Sequence, residues 1–273
     1  MIEKIVAATS GETEPVPLLL LPGTLCDARV FAPLLGCLPA RATEVRVLEG
    51  ETDVASMAKR ILAEAPPRFA LLGFSLGGIV ALEMASLAPN RILGLALMAS
   101  NAREVRPEVH ADRRREAMAG AANLDRYIRE EMWPRYVGPG HFENRQLQSL
   151  IAAMAVEGGA QLLVDQTEIG LSRIDSRDRI RRMRMPSLVL AGSEDKLCTP
   201  EMQQEIAERL PAAELVILLG AGHFVALEEP SAVARHVDKW LHVVDQIATT
   251  SAQVEETELG RLEAKEDVRS PPS

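Results

Sequence analysis

Six short apolar runs constrain this chain more than any other feature. They are Leu18–Leu21, Val45–Leu48, Phe69–Leu72, Leu93–Met98, Ser187–Ala191 and Glu214–Leu219. A strand with one wet face alternates apolar and polar residues, so runs without alternation read as strands buried on both faces. Helical patterns lie between them. Val54, Met57, Ala58, Ile61, Leu62 and Ala65 repeat at the spacing that puts one apolar stripe on a helix, and Pro66-Pro67 stops it. Ile79 to Ala88 is a second helix, ended by Pro89-Asn90, and Pro200 with Glu201 and Glu205 opens a third. Strand and helix in alternation predict an α/β protein with a parallel sheet covered on both faces.

One stretch interrupts the alternation. Asn101 to Arg182 contains no convincing strand, and it reads as helices over 112–123, 124–135, 146–156 and 160–171, punctuated by Gly138-Pro139-Gly140 and Gly158-Gly159. It carries 14 arginines against 13 acids, so it is near neutral within a chain of net charge −9. The expected organisation is a core of residues 1–101 and 183–247, a helical cap of 102–182, and a mostly disordered tail of 248–273, where Leu259 and Leu262 mark a short frayed helix. The 273 residues suit one domain with an insertion.

Composition narrows the function classes. An acidic chain without a basic block is a poor nucleic-acid binder. The apolar runs are far short of a membrane span, and Met1 to Ala8 lacks the features of a signal peptide. Cys26, Cys37 and Cys198 are odd in number and have no metal-ligand spacing, which favours a reducing, cytoplasmic setting. Aromatics make up only 3%, so aliphatic side chains build the core.

The chemistry concentrates at Gly73-Phe-Ser75-Leu-Gly77-Gly78, between an apolar strand and a helix. A nucleophile on such a tight turn needs backbone room on both sides, which Gly73 and Gly77 supply, leaving the Ser75 hydroxyl exposed above the sheet. A serine needs a base and an orienting acid. Of five histidines, His236 and His242 fall on the terminal helix, and His110 and His141 in the insertion. His223, in Gly220-Ala-Gly-His-Phe224, follows the last predicted strand, where parallel sheets place ligands. The acid is Asp195, after the preceding strand, with Glu194 beside it as the alternative. An oxyanion needs two donors: the amide of Leu76 after the nucleophile, and one from Pro22-Gly23-Thr24-Leu25, with Thr24 preferred and Leu25 next.

These motifs, in the order Ser75, Asp195, His223, resemble those of the α/β-hydrolase-fold superfamily, over roughly Val16 to His242. The resemblance implies a mostly parallel, eight-stranded sheet flanked by helices, with residues 102–182 as a helical cap over the site. Two departures stand out. Pro22-Gly23 replaces the family's frequent His-Gly, and Leu48 to Val54 lacks the usual Gly-X-Gly-X-Ser loop, which shortens one rim of the pocket. Some relatives carry the acid after the strand that here ends at Ser100-Asn101, which offers no carboxylate.

The reading is a serine esterase that cleaves a small-molecule carboxylic ester through an acyl-enzyme, with no metal or organic cofactor. Leu25, Phe74, Trp133, Tyr136 and Phe224 are the candidate walls of an apolar acyl pocket. Arg113, Arg114 and Arg115 are candidate contacts for an acidic carrier protein, as in esterases that cut methyl esters from acyl carrier proteins; a solvated helix face is the plainer account. The scaffold also serves lactonases, thioesterases, carbon–carbon hydrolases and lyases, and ligand receptors that keep the triad.

Overall fold

The computed structural model describes residues 14–267, with side chains described to Ser251. Its sheet has six strands: β1 (Leu18–Leu21), β2 (Thr43–Val45), β3 (Phe69–Phe74), β4 (Ile92–Met98), β5 (Ser187–Gly192) and β6 (Ala213–Leu218). All pairings are parallel, in the order β2-β1-β3-β4-β5-β6. The expected eight strands are thus six among the described residues; five match an apolar run, and the second overlaps its run only at Val45. The second is displaced: it ends at Val45, where the run continues to Leu48. As an edge strand paired only with β1, β2 leaves the ladder early, and Leu48 turns in to be fully buried.

Side-chain alternation explains why the runs are continuously apolar. Leu18 and Leu20 of β1 join one core while Leu19 and Leu21 join the other, on the opposite face of the sheet. The same division separates Leu72 and Phe74 from Phe69 and Leu71 in β3, and Leu188 and Leu190 from Val189 in β5.

Helices cover both faces. α1 (Val54–Glu64) is capped by the Asp53 carboxylate, which accepts from the Ser56 amide at 2.8 Å. It buries Val54, Met57, Ala58, Ile61 and Leu62, the stripe read from sequence. α2 (Leu76–Leu87) follows β3 directly and is buried along most of its length. Between β4 and β5 the described chain holds no strand. It forms α3 (His110–Ala121), a π-helical stretch at Tyr127–Met132 and α4 (Arg145–Leu171). Gly159, at φ 85°, breaks the helical geometry of α4 at the position where Gly158-Gly159 punctuates the sequence.

By length and composition α4 is long and apolar enough to cross a membrane, contrary to the expectation that no stretch is. Leu147, Ile151, Ala155, Leu163 and Ile169 are nevertheless buried against the rest of the chain, as on a core helix.

α5 (Pro200–Ala207) precedes β6, and α6 runs from Pro230 to Asp267. Trp240 and Val244 of α6 press onto β4 at Gly94, where any Cβ would overlap them. The tail expected to be disordered from 248 is helical through Asp267, since Ala, Gln, Glu, Leu and Lys there are good helix formers. Residues 268–273 of that expectation lie outside the described residues.

Candidate active site

The site is assembled at the carboxyl ends of β1, β3, β5 and β6. Ser75 occupies the turn from β3 into α2, at φ 51°, ψ −114°. That is a strained conformation for a residue with a Cβ, and its surroundings hold it. The Ser75 amide donates to the Met98 carbonyl at 2.9 Å, and the Ser75 carbonyl accepts from the Ser100 hydroxyl at 2.9 Å. The flanking glycines are required sterically: a Cβ on Gly73 would press into the Gly77 backbone, and one on Gly77 into the Leu21 carbonyl.

The three predicted side chains meet. His223 Nε2 lies 3.0 Å from Ser75 Oγ, and His223 Nδ1 lies 2.8 Å from Asp195 Oδ2. Asp195 is anchored from the other side, since its Oδ1 accepts from the amides of Leu197 and Cys198 at 2.8 and 2.9 Å. The Asp195 and His223 side chains are 0% and 4% exposed, so the pair is closed to bulk water. Glu194, the alternative acid, is exposed and turned to the Ser193 hydroxyl.

No acceptor for the Thr24 or Leu76 amides occurs among the described residues. Both residues line the same cavity as Ser75 and His223, whose volume is about 570 Å³. The fallback donor differs. Leu25, at φ 57°, gives its amide to Gln166 Oε1 at 2.7 Å and is thereby committed. Cys26 is buried, its thiol donates to the Thr24 carbonyl, and burial pushes its pKa up, so it stays protonated.

The aromatic expectations divide. Phe74, Tyr136 and Phe224 surround the imidazole, with ring centroids 5.1, 6.2 and 5.9 Å from it, and all three line the cavity together with Leu25. Trp133 does not reach the cavity. Its ring packs in the core, where the Phe142 carbonyl satisfies the indole N–H.

Three residues escaped the sequence reading. Gln166 of α4 is buried, and its Nε2 donates to the Leu48 carbonyl at 3.0 Å while its Oε1 holds Leu25. Glu228 is buried, with one oxygen accepting from the Gly138 and Gly222 amides at 2.8 Å each. Its desolvation pushes the carboxyl pKa up. Arg173 enters the cavity from the segment after α4. The signals in sequence are slight: a polar residue inside an apolar helical pattern for Gln166, and a carboxylate five residues after the histidine for Glu228.

The model of the alpha/beta hydrolase family matches residues 15–236. The chain belongs to this family. It is similar to the pimeloyl-[acyl-carrier protein] methyl ester esterase of Xanthomonas campestris pv. campestris, 28% identical over 244 residues, covering 82% of this chain and 94% of that protein. The Klebsiella pneumoniae protein of the same name is 28% identical over 193 residues, covering 67% and 73%. Among solved structures, a thermophilic esterase from Thermogutta terrifontis superposes with a TM-score of 0.75 at 27% identity, covering 85% of this chain and 91% of that one. The enol-lactonase of Burkholderia xenovorans LB400 shares the fold, with a TM-score of 0.74 at 21% identity over 85% and 92%. In this alpha/beta hydrolase no three His, Cys, Asp or Glu side chains gather as a metal-holding group among the described residues.

Proposed function

We propose that the chain hydrolyses carboxylic esters, with Ser75 as nucleophile, His223 as general base and Asp195 as the group that orients it. The observation that supports this most strongly is the continuous relay from Ser75 Oγ through His223 to Asp195, beside two uncommitted amides. Ser75 Oγ attacks the ester carbonyl while its proton passes to His223 Nε2. The carbonyl oxygen becomes an oxyanion within reach of the Thr24 and Leu76 amides. Asp195 fixes the proton on Nδ1 and stabilises the imidazolium without itself taking the proton. The imidazolium then protonates the leaving alkoxide, and the alcohol departs. Water, losing its proton to His223, hydrolyses the acyl-Ser75 ester to the carboxylic acid and restores the serine.

The deciding experiment compares wild type with Ser75→Ala on chromogenic esters of rising acyl length. Turnover abolished by the substitution supports the reading, and the length profile sizes the cavity. Background rates in both proteins refute it and favour a ligand receptor of the same fold. Asp195→Asn is expected to lower kcat by about 10⁴, through the wrong imidazole tautomer.

A carrier-bound ester is the second reading, favoured by the names of the relatives and by the cavity rim. Arg106 and Arg135 line the cavity, are exposed, and have no carboxylate within 4 Å among the described residues. The arginines singled out in sequence are less available: Arg113 pairs with Glu116, Arg114 with Glu168 and Arg115 with Asp112. Faster methyl ester cleavage on an acyl carrier protein than on the matching free ester, lost in an Arg106→Glu, Arg135→Glu variant, tests this. The same reading places the chain in the cytoplasm, where its free Cys26, Cys37 and Cys198 stay reduced.

A further inference from the structure

The cavity beside Ser75 carries a charge opposite to that of the chain. Six cationic side chains line it against two carboxylates, Glu104 and Glu116, in a protein of net charge −9. A low-dielectric cleft lined by one sign of charge concentrates the opposite sign.

The cations are not equivalent. Arg103 gives its Nε to Glu205 at 2.6 Å, and Arg113 has Glu116. Lys196 donates to the Pro134 carbonyl and lies over the Phe142 ring. Arg173 differs from the others because it is half-buried and has no carboxylate within 4 Å among the described residues. The nearby Glu205 already serves Arg103, Arg177 and Arg209.

The Arg173 guanidinium is also held in place. Its Nε donates to the Arg103 carbonyl at 2.8 Å and its Nη1 to the Gly170 carbonyl at 3.2 Å. These bonds fix the plane and leave Nη2 without an acceptor. Burial and the neighbouring Arg113 charge both disfavour the cation, which an arginine nevertheless keeps. A half-buried, oriented cation without a counter-charge is stabilised when an anion supplies one. A rigid, planar fork matches a carboxylate.

We infer that Arg173 is a carboxylate-binding subsite, and that the substrate carries a free carboxylate remote from its scissile ester. The class is the half-ester of a dicarboxylic acid, or an acyloxy acid with the charge on the alcohol side. This deepens the esterase reading and rests on it.

The binding test uses Ser75→Ala protein, which retains ligand unreacted, titrated calorimetrically with monomethyl adipate and with methyl hexanoate. The two share the methyl ester and chain length and differ in the carboxylate. The charged ester is expected to bind about 10- to 100-fold more tightly, the range of a charge-assisted contact. Adding Arg173→Met is expected to erase that difference, and Arg173→Lys to restore part of it by returning the charge without the fork. In the kinetic arm wild type is expected to show the same preference in kcat/KM, for monomethyl adipate or for 4-acetoxybutyrate against its methyl ester.

Equal binding of charged and neutral esters overturns the inference without any Arg173 variant. A preference that survives Arg173→Met overturns it as well. The two readings fail separately. Ser75-dependent turnover of neutral esters with no gain from the carboxylate removes the subsite and keeps the esterase. Arg173-dependent binding without turnover of any ester keeps the subsite and removes the esterase.

Discussion

Gln166→Leu isolates a role for the helical insertion in the reaction. Gln166 spans two loops of the core: its Oε1 accepts from the Leu25 amide and its Nε2 donates to the Leu48 carbonyl. Leucine fills a similar volume and makes neither bond. Each buried backbone group left unpaired costs about 1–3 kcal/mol. Leu25 and Gln166 border the cavity, so water can reach the freed amide, whereas Leu48 is fully buried. A loss of about 2–4 kcal/mol in unfolding free energy is the expected sum. The kinetic consequence passes through Leu25, whose φ of 57° is held by this bond. Once released, Leu25 relaxes toward negative φ and carries the adjacent Thr24 amide with it. Loss of one oxyanion donor lowers kcat by about 10²–10³. The assay is steady-state hydrolysis of a short chromogenic ester, with urea unfolding of the same preparations. KM is expected to move little, because the donor acts mainly on the transition state. A boronic acid inhibitor, whose tetrahedral adduct presents an oxygen to the same donors, is expected to weaken in parallel with kcat. Gln166→Glu keeps the acceptor for Leu25 and is expected to recover part of kcat. Wild-type kcat in folded Gln166→Leu would refute the argument.

Glu228 gives a pH-dependent expectation. Burial is the largest cause of its raised pKa, opposed by the Gly138 and Gly222 amides and by His141 and His223. The folded state therefore holds this proton more tightly than the unfolded chain. Its contribution to stability is complete below the ordinary carboxylate pKa and is lost as pH rises through the raised value. Glu228→Gln is expected to flatten that fall in stability over the same range, and identical slopes in urea titrations at several pH values would count against it. Gly94→Ala tests the seat of α6 on the sheet. The new methyl meets Val244 and the Trp240 ring, so a loss of about 1–3 kcal/mol is expected in urea unfolding.

What was legible in the sequence follows from range. The four inner strands were legible because burial on both faces writes an unbroken apolar run into one short segment, whereas the edge strands β2 and β6 are partly exposed. The meeting of Ser75, Asp195 and His223 was legible because each sits just after an apolar run, in a loop whose glycines announce close backbone approach. Residues whose partners lie far along the chain were not. Gln166 acts 141 and 118 positions away, on Leu25 and Leu48, and nothing near it in sequence names those partners. Trp133 shows the converse error. An aromatic in the insertion was a fair candidate for the pocket wall, but its indole N–H is taken by the Phe142 carbonyl and the ring packs in the core. The departure at Pro22-Gly23 left the neighbouring Thr24 amide uncommitted.

Buried hydrogen bonds tie the insertion to the loops around Ser75 and His223. The Tyr136 carbonyl takes the amides of both His223 and Phe224, at 2.8 and 3.1 Å. Glu228 binds Gly138 of the insertion and Gly222 of the histidine loop through a single oxygen. Gln166 closes the opposite side at Leu25. Pulling residues 136–138 from the core would strand buried amides at about 1–3 kcal/mol each. Within the insertion, α3 is joined to α4 by the Arg114–Glu168 pair, a kind worth about 0–1 kcal/mol at a surface, and it buries Ala117 and Gly120, the latter against the Tyr127 ring. The bonds from residues 136–138 and 166 are therefore the ones that tie the insertion to the loops around Ser75 and His223.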